Sequence, residues 1–170
     1  MTRIQYLSFY HPYSGGNNEA FDHTSKMILA FKQGKPHAVS YWANVLKDRI
    51  YRITQEPFYI ATVPSSTQGK AHPGFQKLVP MLGHSFKILN SRSNLLQRDA
   101  TINKLASGGN RAVEVHIASL SVPFTCDDYK PVILLDDVTT TGNSMRAAIS
   151  KLERAGYSVI AAIALGKTTR

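Results

Sequence analysis

Two adjacent carboxylates, Asp136 and Asp137, follow four aliphatic residues and precede a run of hydroxyls and a glycine. The whole stretch, Val132 to Ser144, reads V-I-L-L-D-D-V-T-T-T-G-N-S. Backbone amides of a turn, with a helix N-terminus behind them, hold an anion such as a phosphate. The hydroxyls of Thr139, Thr140, Thr141 and Ser144 can donate further hydrogen bonds to it. Acidic groups beside that anion suit sugar hydroxyls or a metal better than the phosphate itself. A phosphate pocket touching a diol-binding pair describes a ribose 5-phosphate site.

Positioning such a site needs a strand and a helix. Val132 to Leu135 reads as a strand buried on both faces, with the acids at its carboxyl end. Asn143 or Ser144 can cap a helix through Met145 to Arg154. A second polar turn, Pro64 to Lys70, follows a predicted strand from Phe58 to Val63. If the two strands are neighbours, Ser65, Ser66 and Lys70 face the same crevice, where ligands of open α/β sheets bind. The backbone amides there and Lys70 could hold a second anion, such as a pyrophosphate. As a motif in isolation this turn reads equally well as a connecting loop.

The remaining elements fall into place around these two. Met1 to Gly16 alternates and is rich in aromatics, and it ends in a Gly-Gly turn. Helices are predicted over Asn17–Phe31, from Pro36 to about Ile50, and over Pro73–Leu82 with Gly83 as its stop. Ser85–Leu89 reads as a short strand. Asp99 to Arg111 is polar, basic and glycine-containing, and Val113, Val115, Ile117, Leu120 and Val122 suggest a returning strand. Arg98, Lys104 and Arg111 give that segment the composition of a lid that closes on an anion. Ser158–Leu165 is the final strand and Gly166–Arg170 a polar tail. The alternation predicts an α/β doubly wound sheet with mainly parallel core strands and helices on both faces. The helices of Asn17–Tyr51 either cover one sheet face or form a small hood over the site.

With 170 residues, 43% apolar and 18% charged, the chain fits one globular domain. An N-terminal helical or hood part, 1–55, would precede a binding core, 56–170. No apolar run approaches the ~20 residues of a membrane span, and Met1–Phe9 lacks a signal peptide's order of regions. The one cysteine, Cys126, has no internal partner, which fits a reducing, cytoplasmic setting and no structural zinc site. A net charge of +9 and a pI near 9.8 point to anionic partners, phosphorylated metabolites or nucleic acid. No G-x-x-x-x-G-K-[ST] is present, because Ala161 stands where Gly166-Lys167-Thr168 would need its upstream glycine. Tyr10, Tyr13, Tyr41 and Trp42 could stack on a base, but aromatics in helices more often belong to the core.

The Val132–Ser144 stretch resembles the PRPP-binding motif of the type I phosphoribosyltransferases: four hydrophobics, two acids, two loose positions, then Thr-Thr-Gly and a small hydroxyl residue. One departure is Thr139, where that family more often has an aliphatic residue. Val63-Pro64, Pro73-Gly74-Phe75-Gln76 and the series Leu96, Arg98, Thr101, Lys104, Leu105, Arg111 are similar to the ComF-like branch. Many of its members have Arg-Gly-Phe-Asn at the second of these, Gln at the position of Lys104, and a cysteine-rich zinc module that this chain lacks. The resemblance implies that Asp136 and Asp137 hold the ribose hydroxyls of PRPP and that Thr139, Thr140, Thr141, Gly142, Asn143 and Ser144 cradle its 5-phosphate. Ser65, Ser66 and Lys70 would face the pyrophosphate, with Arg98, Lys104 and Arg111 on or beside a flexible catalytic loop. It implies Mg²⁺ as cofactor, held mainly by substrate and water. The implied activity is transfer of the phosphoribosyl group from PRPP to an unidentified, nitrogen-bearing acceptor, with release of pyrophosphate. Implied partners are PRPP, that acceptor, nucleic acid through the basic surface, and a second copy of the chain. The alternative is a non-catalytic PRPP-binding regulator, or an accessory protein of DNA uptake or processing.

Overall fold

The aliphatic run of the motif lies inside a four-stranded parallel sheet of order β1-β6-β5-β2. The computed structural model describes residues 2–90, 93–102, 112–126 and 129–169. Its strands are β1 (Ile4–Tyr10), β2 (Tyr59–Thr62), β3 (Gln97–Arg98), β4 (Leu120–Ser121), β5 (Pro131–Thr139) and β6 (Ser158–Thr168). The helices are α1 (His23–Lys32), α2 (Pro36–Tyr51), α3 (Pro73–Leu82), α4 (Val113–Ser119) and α5 (Asn143–Arg154). β3 and β4 form a separate antiparallel pair.

Strand alternation divides the core into two layers. Ile133 and Leu135 of β5, with Ile163 and Leu165 of β6, face α1, α2 and α3. Val132, Leu134, Ala162 and Ala164 face the other way, toward α5 and the α4 region. On α5 the buried residues Met145, Ala147, Ala148, Ile149 and Leu152 make one apolar stripe, leaving Arg146, Glu153 and Arg154 exposed. Residues 17–51 therefore cover a sheet face. Trp42, 2% exposed, belongs to that core.

Several boundaries differ from the sequence expectation. α1 begins only at His23, where the Asp22 carboxylate accepts from the Ser25 N–H at 2.8 Å and so caps the helix. Ser85–Leu89 makes a single parallel bridge, Phe58 to Ile88, instead of a strand. The expected strand from Val113 is helix α4 followed by the two-residue β4. Val113, His116, Ile117 and Leu120 share a helical face that is at least half-buried, while Val115 is exposed, so the period is helical and the alternation was coincidental. The expected polar tail is part of β6, which pairs through Lys167 and Thr168 with β5 and β1. The expected lid residues Lys104 and Arg111 lie outside the described residues.

Gly74 sets how closely α3 approaches α1. A Cβ there would stand 2.3 Å from the Phe31 carbonyl oxygen and 2.9 Å from the Phe31 ring. That ring packs edge-on against Phe75 at 5.1 Å and beside His72 at 5.3 Å. Replacing Gly74 with Ala should thus destabilise the protein by about 1–3 kcal/mol through overpacking. Thermal denaturation should show a midpoint lowered by roughly 2–4 °C per kcal/mol. An unchanged midpoint would mean that the helices part without cost.

Candidate functional site

β5 outruns its neighbour on one side. β2 pairs only as far as Thr62 with Leu135, whereas β6 stays paired with β5 as far as Thr139 with Lys167. Both acids are thus fixed in a strand while the β2 flank is open to the turn that follows Val63. Asp136 is 7% exposed, and its carboxylate accepts from the Asp137 N–H at 2.9 Å. Asp137 takes the α1/α3 face, where its Oδ2 lies 2.9 Å from His72 Nε2 and 3.7 Å from Lys32 Nζ. Its Oδ1 accepts from the Val138 N–H at 2.5 Å.

His72 is the residue before α3, and its Nδ1 accepts from the Phe75 N–H at 3.1 Å, capping that helix. With Nδ1 accepting, Nε2 carries the hydrogen and donates it to Asp137. The same ring therefore starts a helix and orients an acid. Neither His72 nor Lys32 was singled out from the sequence. Lys32 directly follows the predicted Asn17–Phe31 helix, and only the position of His72 before Pro73, where a helix cap belongs, carries a signal.

The two carboxyls diverge. Burial, and then the charge of Asp137, push Asp136 well above the usual aspartate range; the Asp137 N–H and Lys32 offset this only in part. For Asp137 burial again pushes upward. The His72 hydrogen bond, the Lys32 charge, the polar His72 ring and the Val138 N–H outweigh it and hold Asp137 below the usual range. One acid retains its proton more readily and its neighbour is the standing charge of the pair.

After Thr139 the chain turns into α5. Gly142 holds the left-handed conformation (φ 80°, ψ 4°) and is the residue before the helix. A Cβ at Gly142 would come within 3.1 Å of Ile4 Cδ1. The expected cap from Asn143 or Ser144 is not made; Asn143 lies within α5, and its N–H reaches Thr141 Oγ1 at 3.4 Å. Thr140 Oγ1 bonds Thr168 Oγ1 at 3.1 Å. The Arg146 guanidinium donates to Thr141 O at 2.8 Å and Asn143 Oδ1 at 3.3 Å, adding a cation that the motif does not announce. Thr139 departs from the expectation. It is 5% exposed, and its hydroxyl is buried without a partner among the described residues, so it fills an aliphatic position and the open loop begins at Thr140.

The β2–α3 turn lies beside this loop because β2 pairs with β5, and Val63 N–H donates to Leu135 O at 2.9 Å. Its hydrogen bonding is partly internal and partly to Thr101. Thr67 N–H donates to Ser65 Oγ, Lys70 N–H to Thr67 O, and Gln68 N–H to Thr101 Oγ1. The Lys70 ammonium and the N–H groups of Ser65, Ser66 and Gly69 have no partner among the described residues. A cavity of about 890 Å³ opens on this side, lined by the turn, α3 and residues 93–98, and among the described residues its lining contains no carboxylate. Asp136, Asp137 and the Thr139–Ser144 loop are not among its lining residues. Arg98, expected on a mobile lid, is instead 5% exposed in β3. Its guanidinium donates to Pro64 O, Ser65 O and Ser119 Oγ, so it braces the turn instead of reaching a ligand.

No family model matches this chain, and no curated protein matches it.

The divergence of the two acids has opposite consequences for stability. Raised in the folded state, Asp136 contributes stability below the ordinary aspartate pKa that is lost as pH rises through its folded value. Lowered, Asp137 contributes stability above the ordinary value that is lost as pH falls through its folded one. At neutral pH, Asp136→Asn should therefore raise the melting midpoint. Asp137→Asn should lower it by the loss of about 1–3 kcal/mol of charged hydrogen bonding. Near pH 3 the two effects should shrink together. Equal shifts of one sign at neutral pH would contradict this assignment.

Proposed function

We infer that the protein binds PRPP and transfers its phosphoribosyl group to a nitrogen-bearing acceptor, releasing pyrophosphate. One observation carries the reading. An ionised carboxylate oriented by His72 and Lys32 is continuous, on one strand, with a glycine-turned hydroxyl loop at the N-terminus of α5. Few ligands need a diol acceptor and a phosphate cradle so close together; a ribose 5-phosphate does. The parallel sheet with helices on both faces is consistent with the type I phosphoribosyltransferase fold.

In this reading Asp137, with Asp136 beside it, receives the ribose hydroxyls, and Thr140, Thr141, Gly142, Asn143 and Ser144 receive the 5-phosphate with Arg146 nearby. Lys70 and the amides of Ser65, Ser66 and Gly69 face the pyrophosphate, next to a cavity with no acidic group among its described lining residues. Breaking the bond from the anomeric carbon to pyrophosphate builds positive charge on the ribose and negative charge on the leaving group. Fixed donors aimed at the leaving group lower that barrier, and an anionic acid pair beneath the ribose favours the cationic ring. The acceptor nitrogen forms its bond to the anomeric carbon from the opposite face and then loses a proton.

The donor set also fits Mg²⁺. No group of three or more His, Cys, Asp or Glu side chains able to hold a metal occurs among the described residues, and the two acids offer what an ion carried in by a diphosphate and water requires. Bound there with Asp136 and Asp137, Mg²⁺ would neutralise charge developing on pyrophosphate oxygens.

A second reading draws on the β1 edge. Tyr6 and Phe9 are exposed with ring centroids 5.8 Å apart, and Lys167 Nζ lies 5.0 Å from the Tyr6 ring. Aromatic faces beside a cation suit stacked bases. The chain would then be a PRPP-responsive regulator or an accessory protein of DNA uptake that binds nucleic acid. Single-stranded DNA affinity that falls steeply with salt would favour it, and a flat, weak response would remove it.

Thermal denaturation with PRPP, Mg²⁺, both or neither tests the first reading. A ligand at ~100 times its dissociation constant adds about 2.7 kcal/mol, worth several degrees at roughly 2–4 °C per kcal/mol. The expected shift needs both components and is lost in Asp137→Asn. No shift at millimolar PRPP would overturn the reading.

A further inference from the structure

β2 is the last hydrogen-bonded strand on its side of the sheet, and its outer edge is not bare. At Phe58 the partner is backbone: the Phe58 N–H donates to Lys87 O and its carbonyl accepts from the Leu89 N–H. From there side chains take over. The Asn90 carboxamide accepts from the Ile60 N–H at 2.8 Å and donates to Ile60 O at 2.7 Å. Asn94 does the same at Thr62, at 2.9 and 2.7 Å. Arg98 then donates to Pro64 O at 3.3 Å and Ser65 O at 3.0 Å.

The spacing is regular. Residues 90, 94 and 98 meet residues 60, 62 and 64, the outward-facing backbone positions of an edge strand. A carboxamide carries one acceptor and a donor in the geometry of a peptide group, so each asparagine stands in for one residue of a missing neighbour. The last rung differs because the strand has ended and the Pro64 and Ser65 carbonyls turn outward together. A guanidinium fork reaches both, and its third bond, to Ser119 Oγ at 2.6 Å, anchors it at the end of α4. Ser119 Oγ donates in turn to His116 O at 3.1 Å.

We propose that Asn90, Asn94 and Arg98 are positioning residues: a side-chain ladder that replaces an edge strand and fixes the Pro64–Lys70 turn for an anion. The inference rests on reading that turn as the pyrophosphate side of the site. None of the three needs to touch the ligand. Holding the carbonyls of Pro64 and Ser65 outward leaves the unengaged N–H groups of Ser65 and Ser66 available on the turn. The Thr140–Ser144 loop is carried by β5 and α5, and none of its hydrogen bonds to the described residues given above involves a rung.

Inorganic pyrophosphate and ribose 5-phosphate, measured separately by calorimetry with Mg²⁺, are the probes. Asn94→Ala and Arg98→Lys should each weaken pyrophosphate binding roughly five- to tenfold, the worth of a lost hydrogen bond or two. Ribose 5-phosphate binding should be unchanged. Asn94→Asp keeps the shape and the Thr62 N–H bond but sets a carboxylate against Thr62 O, so it should weaken pyrophosphate as Ala does. Tolerance of the isosteric Asp would mean that Asn94 only fills space, and would overturn the ladder. So would equal losses for both probes, which mark general destabilisation. Amide exchange supplies an arm without ligand: the Ile60 amide should exchange faster in Asn90→Ala and the Thr62 amide in Asn94→Ala, with Ile133 and Leu135 unaffected. If the unaltered protein binds neither probe, the functional reading fails, and exchange alone decides the ladder; unchanged exchange at Ile60 and Thr62 would sink it.

Discussion

The site depends on a mismatch in strand length. β5 continues in register with β6 after β2 has ended, so Asp136 and Asp137 are held by backbone pairing on one side only. A loop carrying two acids would be free to move them apart, whereas a strand sends them to opposite faces at a fixed rise. The open flank admits the β2–α3 turn and the start of α3, and it brings His72 to Asp137. Shortening β5 to the length of β2 would remove the site.

Charge explains the second layer of the arrangement. Two carboxyls in sequence are expensive when both ionise in a buried place, and the fold relieves this by treating them differently. Asp137 receives a ring N–H, an ammonium and a backbone N–H, while Asp136 receives one backbone N–H and more burial. Around the pair stand Lys32, Arg98 and, farther along each loop, Lys70 and Arg146. Burial lowers the Arg98 pKa, against the raising effect of Asp99 and Asp136, and carbonyl oxygens solvate its charge. Beyond the Lys32–Asp137 pair, the resting site therefore carries cations, Lys70 and Arg146, with no carboxylate partner among the described residues, which is the condition under which an anionic ligand gains most.

Much of this was legible where the residue types themselves do the positioning. The aliphatic run ending in two acids, and the Thr-Thr-Gly turn before a helix, specified strand, loop and helix in order, although β5 runs four residues past the expected end, to Thr139. Pro36 and Pro73 marked two helix starts, both found as expected. What stayed hidden was long-range or depended on period. Val113 to Val122 offered apolar residues at both strand and helical spacing, and burial of His116 beside Ile117 decided for the helix. Arg98 looked like a mobile cation because nothing local announces two carbonyls from a turn more than thirty positions away. Lys32 and His72 carry no local signature of an acid that lies more than sixty residues downstream. Thr139 misled because a hydroxyl in a hydroxyl run invites a ligand, whereas its strand position makes it core.

The two edges of the sheet show how a short sequence solves one problem in two ways. An unpaired edge exposes N–H and C=O groups that must find water, a partner or a substitute. At β1 the edge carries exposed aromatics. At β2 the substitute is a row of asparagine amides ending in a buried arginine, and it costs no strand. The economy has a consequence for motion. A true neighbouring strand would lock the β2 end through a cooperative ladder, but side-chain rungs are held individually, each worth about 1 kcal/mol. The turn at the end of β2 is thereby held by several separate contacts, any one of which can be removed without undoing the others.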